Sequence, residues 1–209
     1  CADNRAQPGP AGFDMQAHGT SVIHLQGGDN SILTALTFDD AQITLSGGSI
    51  GFLASGGGDE LSNGGTASQS LVIASNTVSE IGGSSAALAV GILEQNGVRG
   101  GSSLSLTNLI ESNGVTGVTA AGAAAGIALY TKVGLDATAS QAVTLSGNRI
   151  SSIATLNTGS SNGAAGIALI TYVDGAPGST GVATQTFLLS GNGVSQVSGP
   201  NASAAGILV

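Results

Sequence analysis

Along most of this chain apolar residues recur two apart, in short runs separated by Gly, Ser and Asn. Ile43 and Leu45, Leu71 and Ile73, Leu104 and Leu106, Val143 and Leu145, and Phe187 and Leu189 each form such a pair. Side chains two apart share one face of an extended chain, so each run predicts a half-buried β-strand. An Asn follows four of them: Asn76, Asn108, Asn148 and Asn192. Next comes a segment whose apolar residues are three apart, Val78 with Ile81, Ile150 with Ile153 and Val194 with Val197. That spacing predicts a strand that bends or bulges between them. No segment sustains a 3.6-residue period, and Val, Ile and Thr punctuated by Gly and Asn favour strand over helix.

A third segment fixes the architecture. Ala124-Ala125-Gly126-Ile127-Ala128-Leu129 returns unchanged forty residues later at 164–169, and as Ala204-Ala205-Gly206-Ile207-Leu208 forty after that. Ala89-Val90-Gly91-Ile92-Leu93 is a looser upstream copy. A fixed period of this size marks a solenoid, whose repeats bury their apolar faces only by stacking. Three short strands per repeat predict an all-β parallel β-helix with three sheets over residues 21–209. Leu25, Leu45, Ile73, Leu106, Leu145 and Leu189 are expected to stack in its core, giving about six rungs at the ~4.8 Å spacing of paired strands. In the third strand, Ile127 and Leu129 should stack under Ile167 and Leu169, with Ala128 and Ala168 facing outward. Residues 1–20, broken by Pro8-Gly9-Pro10, read as a tether or cap. Variable loops are expected at 82–86, 114–122, 156–163 and 174–184, where a binding surface would lie.

Composition narrows the function more by exclusion than by assignment. Charged residues are only 8% of the chain, and the four cations Arg5, Arg99, Lys132 and Arg149 face twelve acids, for a net charge of −8. Nucleic acid is therefore not an expected partner, because tracking phosphates needs clustered Lys and Arg. Cys1 is the sole cysteine, so neither an internal disulfide nor a cysteine-based metal site can form. No apolar run approaches the ~20 residues of a membrane-spanning helix. Candidate chemistry is sparse, and no cofactor is expected. Asp39 and Asp40 are adjacent and would point to opposite faces of a strand. His18 and His24 lack a third ligand for zinc. The glycine-rich acidic stretch at 56–65 is a single imperfect copy of a calcium-binding nonapeptide, which needs tandem copies.

The Asn that recurs at the corner after the first strand, at Asn76, Asn108, Asn148 and Asn192, resembles the asparagine ladder of pectate-lyase-like right-handed parallel β-helices. The resemblance implies a right-handed coil, with those amides bonding one another along the axis. It also raises polysaccharide cleavage, but the matching motifs are missing. Asp39-Asp40 alone fits the family's acidic pair, and Ala17-His18-Gly19 precedes it, in the wrong order. Separately, Cys1-Ala2-Asp3-Asn4 resembles the mature start of a bacterial lipoprotein sorted to the outer membrane, which implies a lipid on Cys1; a fragment boundary is the plainer reading. Together these suggest a non-enzymatic, lipid-anchored envelope or cell-surface solenoid, similar to autotransporter and adhesin β-helices. It would act as scaffold or adhesin, with a protein partner, self-assembly through a flat sheet or open end, or a glycan as its contact. Alternatives are a carbohydrate-binding or carbohydrate-cleaving β-helix, and a fragment of a fibre-like or autotransporter passenger protein.

Overall fold

The structure is a computed structural model that describes residues 36–39, 42–46, 50–56, 66–156, 163–174, 180–200 and 203–209, with side chains described from residue 71 onward. The tether at 1–20, Leu25 and both histidines lie outside the described residues.

Fifteen strands follow one another along the described chain in five triplets. The first triplet is β1 (Leu36–Asp39), β2 (Gln42–Ser46) and β3 (Ile50–Gly56), and the second is β4 (Thr66–Ala74), β5 (Thr77–Gly83) and β6 (Leu88–Val98). The third is β7 (Ser103–Glu111), β8 (Gly114–Ala120) and β9 (Ala123–Val133). The fourth is β10 (Thr138–Ser146), β11 (Arg149–Thr155) and β12 (Gly163–Val173), and the fifth is β13 (Val182–Ser190), β14 (Gly193–Ser198) and β15 (Ser203–Leu208). Each strand pairs in parallel with its counterpart in the next triplet, so first, second and third strands build three five-stranded sheets, A, B and C. The protein is a parallel β-solenoid.

The number of turns and the register depart from the sequence reading. The sheet A column runs Phe38, Ile73, Ile110, Leu145, Leu189. Leu45 does not head a turn of its own, because it belongs to β2 in sheet B. Leu106 lies two residue pairs away in the column of Gln69, Gln141 and Gln185. Five turns are therefore described, not six. The first strands are also nine residues long, reaching back to Thr66, Ser103, Thr138 and Val182. Of the expected loops, 114–122 is mostly β8, and 182–184 open β13.

Two stacked columns of left-handed backbone shape each turn. At the corner from the first to the second strand, Ser75, Ser112, Gly147 and Gly191 have φ of 57°, 55°, 63° and 62°. Within the second strand, Glu80, Gly117, Ser152 and Gln196 have φ of 58°, 70°, 58° and 54°. This second column falls between the apolar residues spaced three apart. The register passes over it, pairing Val78 with Val115 and Ile81 with Val118 while Glu80 and Gly117 stay outside the ladder. One left-handed residue thus turns both flanking apolar side chains inward. Val78, Ile81, Val115, Val118, Ile150 and Ile153 are all at most 1% exposed.

The core is a continuous stack of aliphatic side chains from all three sheets. Ile92, Ile127 and Ile167 are fully buried in one column, and Leu129 sits beneath Leu169. The glycine of Ala-Ala-Gly-Ile lies against this core. A Cβ on Gly126 would stand 2.4 Å from Ile150 Cγ2 and 2.7 Å from the Gly166 carbonyl oxygen, so only glycine fits. Outside sheet C, Ala128 packs with Val90, Leu93 and Ala125, and Ala168 is only 5% exposed. Ala128 thus lies on the outer side of the sheet, where it stands in a packed apolar patch. The fifth turn buries its apolar residues less completely, leaving Phe187, Leu189, Val194 and Val197 partly exposed.

Candidate functional site

Three features of the solenoid carry organised polar groups: the corner ladder, the interior between sheets A and C, and the outer face of sheet A.

The corner ladder is made by Asn76, Asn113, Asn148 and Asn192. Asn76 donates through its backbone N and its Nδ2 to Asn113 Oδ1, both at 3.0 Å. Asn113 repeats the pair to Asn148 Oδ1 at 3.1 and 3.0 Å, and Asn148 to Asn192 Oδ1 at 3.1 and 2.8 Å. The second proton of each Nδ2 reaches back to a carbonyl of the previous turn, Asn113 to Ile73, Asn148 to Ile110 and Asn192 to Leu145, each at 2.8 Å. Every ladder amide here therefore saturates groups that the tight corner would otherwise bury unpaired.

Asn108 is not a rung of this ladder. It sits inside β7, paired in register with Leu71 and Val143, and its side chain is buried in the interior. The third corner residue is Asn113. The signal was present in the sequence, since Ser112-Asn113-Gly114-Val115 repeats the pattern of Gly191-Asn192-Gly193-Val194. The Leu-Ser-Leu spacing upstream of Asn108 masked it, because a period-2 pattern has the same appearance in any register.

The interior polar groups come from the far halves of the long strands. Thr131 Oγ1 donates to Gln141 Oε1 at 3.0 Å, and Gln185 Nε2 to the same oxygen at 3.0 Å. Gln185 Nε2 also contacts Thr171 Oγ1. One turn earlier Asn96, in register with Thr131, is buried together with Glu94 and Asn108. Asn96 Nδ2 donates to Glu94 Oε1 at 2.7 Å, and Asn108 Nδ2 donates to the same oxygen. Burial lifts the Glu94 carboxyl from 4.5 to about 7, against the lowering pull of the two amide donors. A Glu inside an apolar strand is rarely fully buried without a partner, and the two amides are the partners of Glu94.

The outer face of sheet A is a grid of hydroxyls. β7, β10 and β13 pair over nine consecutive residues without a bulge. Their outward positions bring Ser103 beside Thr138, Ser105 beside Ser140 and Thr184, and Thr107 in line with Ala142 and Thr186. Ser103 and Thr138 share a hydrogen bond of 2.9 Å between turns. A shallow depression on this face is lined by Ser103, Ser105, Thr138, Ser140, Val182 and Thr184. Glu111, at the end of β7, is the one charged residue among the outward positions of these three strands. An adjoining line of Leu109, Thr144 and Leu188 is mostly aliphatic, and Leu188 is 58% exposed. Thr-Ala-Ser-Gln at both 66–69 and 138–141 signalled this half of the sheet.

Cys1, both histidines, Asp40 and the stretch 57–65 lie outside the described residues, and Asp39 ends β1. Among the described residues no group of three or more His, Cys, Asp or Glu comes together. No helix among them is long and apolar enough to cross a membrane. No family model, no curated protein and no solved structure matches the chain. The likeness to pectate-lyase-like, adhesin and autotransporter proteins therefore rests on the repeat pattern alone.

Proposed function

We propose that this protein is a non-enzymatic structural or adhesive β-solenoid of the bacterial envelope, tethered to the outer membrane by a lipid on Cys1, and that the outer face of sheet A is its contact surface. The observation that carries this reading is the in-register grid of Ser and Thr on β7, β10 and β13. Neutral hydroxyls at fixed spacing on a rigid sheet can meet many equivalent groups of a partner at once, so weak single contacts add through avidity. A face with so little charge suits an uncharged partner, a neutral glycan or a polar protein surface, better than nucleic acid or anionic lipid. The second reading, a carbohydrate-binding or carbohydrate-cleaving β-helix, draws on the depression around Ser105, Ser140 and Thr184.

The test uses the intact chain immobilised on beads and offered insoluble neutral polysaccharides and envelope fractions. Retention should fall at least ~10-fold when Ser105, Ser140 and Thr184 are all replaced by Glu, because each substitution sets a charge into the contact. Retention unchanged by the triple substitution rules out sheet A as the surface. Release of new reducing ends from any of the polysaccharides overturns the non-enzymatic assignment in favour of the second reading. Intact mass from native membranes settles the anchor, since an unmodified Cys1 excludes it.

A further inference from the structure

Inside the second and third turns a carboxyl and a carboxamide meet with their hydrogen-bonding atoms only half matched. Asn108 Nδ2 donates to Glu94 Oε1, and Asn96 Nδ2 donates to the same oxygen. The atoms left over are Glu94 Oε2 and Asn108 Oδ1, both buried and both without a partner. With Glu94 ionised, both are pure acceptors, and two buried acceptors cannot satisfy each other. A neutral carboxylic acid and a primary amide pair through two antiparallel bonds instead. The amide N–H binds one acid oxygen, and the acid O–H binds the amide oxygen. The first of those bonds is present, and the two unpartnered atoms are the ones the second would join.

We propose that Glu94 is held as a neutral carboxylic acid, donating its Oε2 proton to Asn108 Oδ1, and that this proton is a pH-sensitive lock joining sheet C to sheet A across the solenoid's interior. Among the described residues the surroundings offer no charge to take its place. Ala54 and Leu129 flank Glu94 in register, and Leu71 and Val143 flank Asn108. On the elements packed around the pair, Glu80 and Lys132 are exposed, while Tyr130 and Glu111 are partly exposed at outward positions. None of them reaches the interior, and no other titratable group lies on β3, β4 or β8. The rise of the Glu94 carboxyl to about 7, with burial as its main cause, accords with a proton retained to neutrality. The folded state keeps the proton between 4.5 and about 7 while the unfolded state has lost it. Stability from this pair is complete below 4.5, declines as pH rises to about 7, and is then level.

The expected loss across that interval is roughly 300-fold in the folding equilibrium constant, the factor that a shift of this size carries. Glu94→Gln keeps both bonds, as an amide pair, and cannot ionise. Its stability should match the wild type at pH 4 and lack the decline up to pH 8. Infrared spectroscopy of the wild-type chain at pH 6 should show the carbonyl band of a protonated carboxylic acid, disappearing as pH is raised past neutrality. A wild type with no protonated carboxyl at pH 6 overturns the proposal. So does a stability difference between wild type and Glu94→Gln that is the same at every pH. The infrared titration of the wild type decides the matter even where the variant fails to fold.

Discussion

Asn113 and Asn148 in the corner ladder each answer to four groups on two neighbouring turns. Replacing Asn148 with Ala removes the acceptor for Asn113 N and Nδ2 and the donor for Ile110 O and Asn192 Oδ1. The backbone N–H of Asn113 and the carbonyl of Ile110 would be left buried and unpaired, at ~1–3 kcal/mol for each such group. Urea unfolding of Asn148→Ala should therefore show a loss of about 2–4 kcal/mol, with the midpoint shifted and the slope unchanged. A loss below ~0.5 kcal/mol, the scale of an ordinary surface change, would mean that the ladder is ornament and the sheets alone hold the corners. At this scale the sequence was legible in kind and uncertain in place. The recurrent corner Asn was visible, yet the neighbouring Leu-Ser-Leu run drew attention to Asn108, whose side chain serves the interior instead of the corner. Glu94 was unreadable for a different reason. Its partner Asn108 is fourteen residues away, and only the winding of the chain brings them together.

The strands themselves were legible where apolar residues alternate and invisible where the interior turns polar. The first strands of the second, fourth and fifth turns begin with Thr-Ala-Ser-Gln or Val-Ala-Thr-Gln, and an inward Gln such as Gln141 looks like loop composition to a pattern that counts only apolar positions. The bend in the second strand was legible, because two apolar residues three apart can share a face only if the residue between them breaks the pleat. Left-handed Glu80, Gly117, Ser152 and Gln196 do this. The third strand carries the tightest packing. A Cβ on Gly126 would stand 2.7 Å from the carbonyl oxygen of Gly166, its stacked neighbour, and closer still to the side chain of Ile150. Neither backbone nor a branched core side chain can yield readily. Gly126→Ala should cost at least ~3 kcal/mol, at or beyond the upper end for an overpacked core. In thermal unfolding it should appear as a strongly lowered midpoint. A variant as stable as the wild type would show that sheet C has slack here that its contacts do not display.

For the whole molecule the winding makes stability a local property, since every turn touches only the turns on either side. The third and fourth turns are closed on both faces, with Ile127, Leu145 and Ile153 fully buried. The fifth leaves Phe187, Leu189, Val194 and Val197 partly exposed. In this chain amide hydrogen exchange should accordingly be slowest in β7 to β11 and faster in β13 to β15, by ~10-fold or more, because the partly exposed apolar residues of the fifth turn lose less buried area on opening. Uniform protection would instead mean one all-or-none unit. The architecture was readable because it is written several times over. The contact surface was not, because a Ser or Thr facing water has the same composition as a loop, and fold alone does not name a partner. The asparagine ladder has one more consequence at this scale. Its amide-to-amide bonds all point the same way, from Asn76 through Asn113 and Asn148 to Asn192. The carboxamides are thus aligned head to tail, and such chains polarise one another. Parallel sheets carry little net dipole across their strands, so this thread of amides gives the solenoid an electrical direction, positive toward the fifth turn. The ladder from Asn76 to Asn192 thus has two electrically unlike ends, on turns that are otherwise near copies of one another.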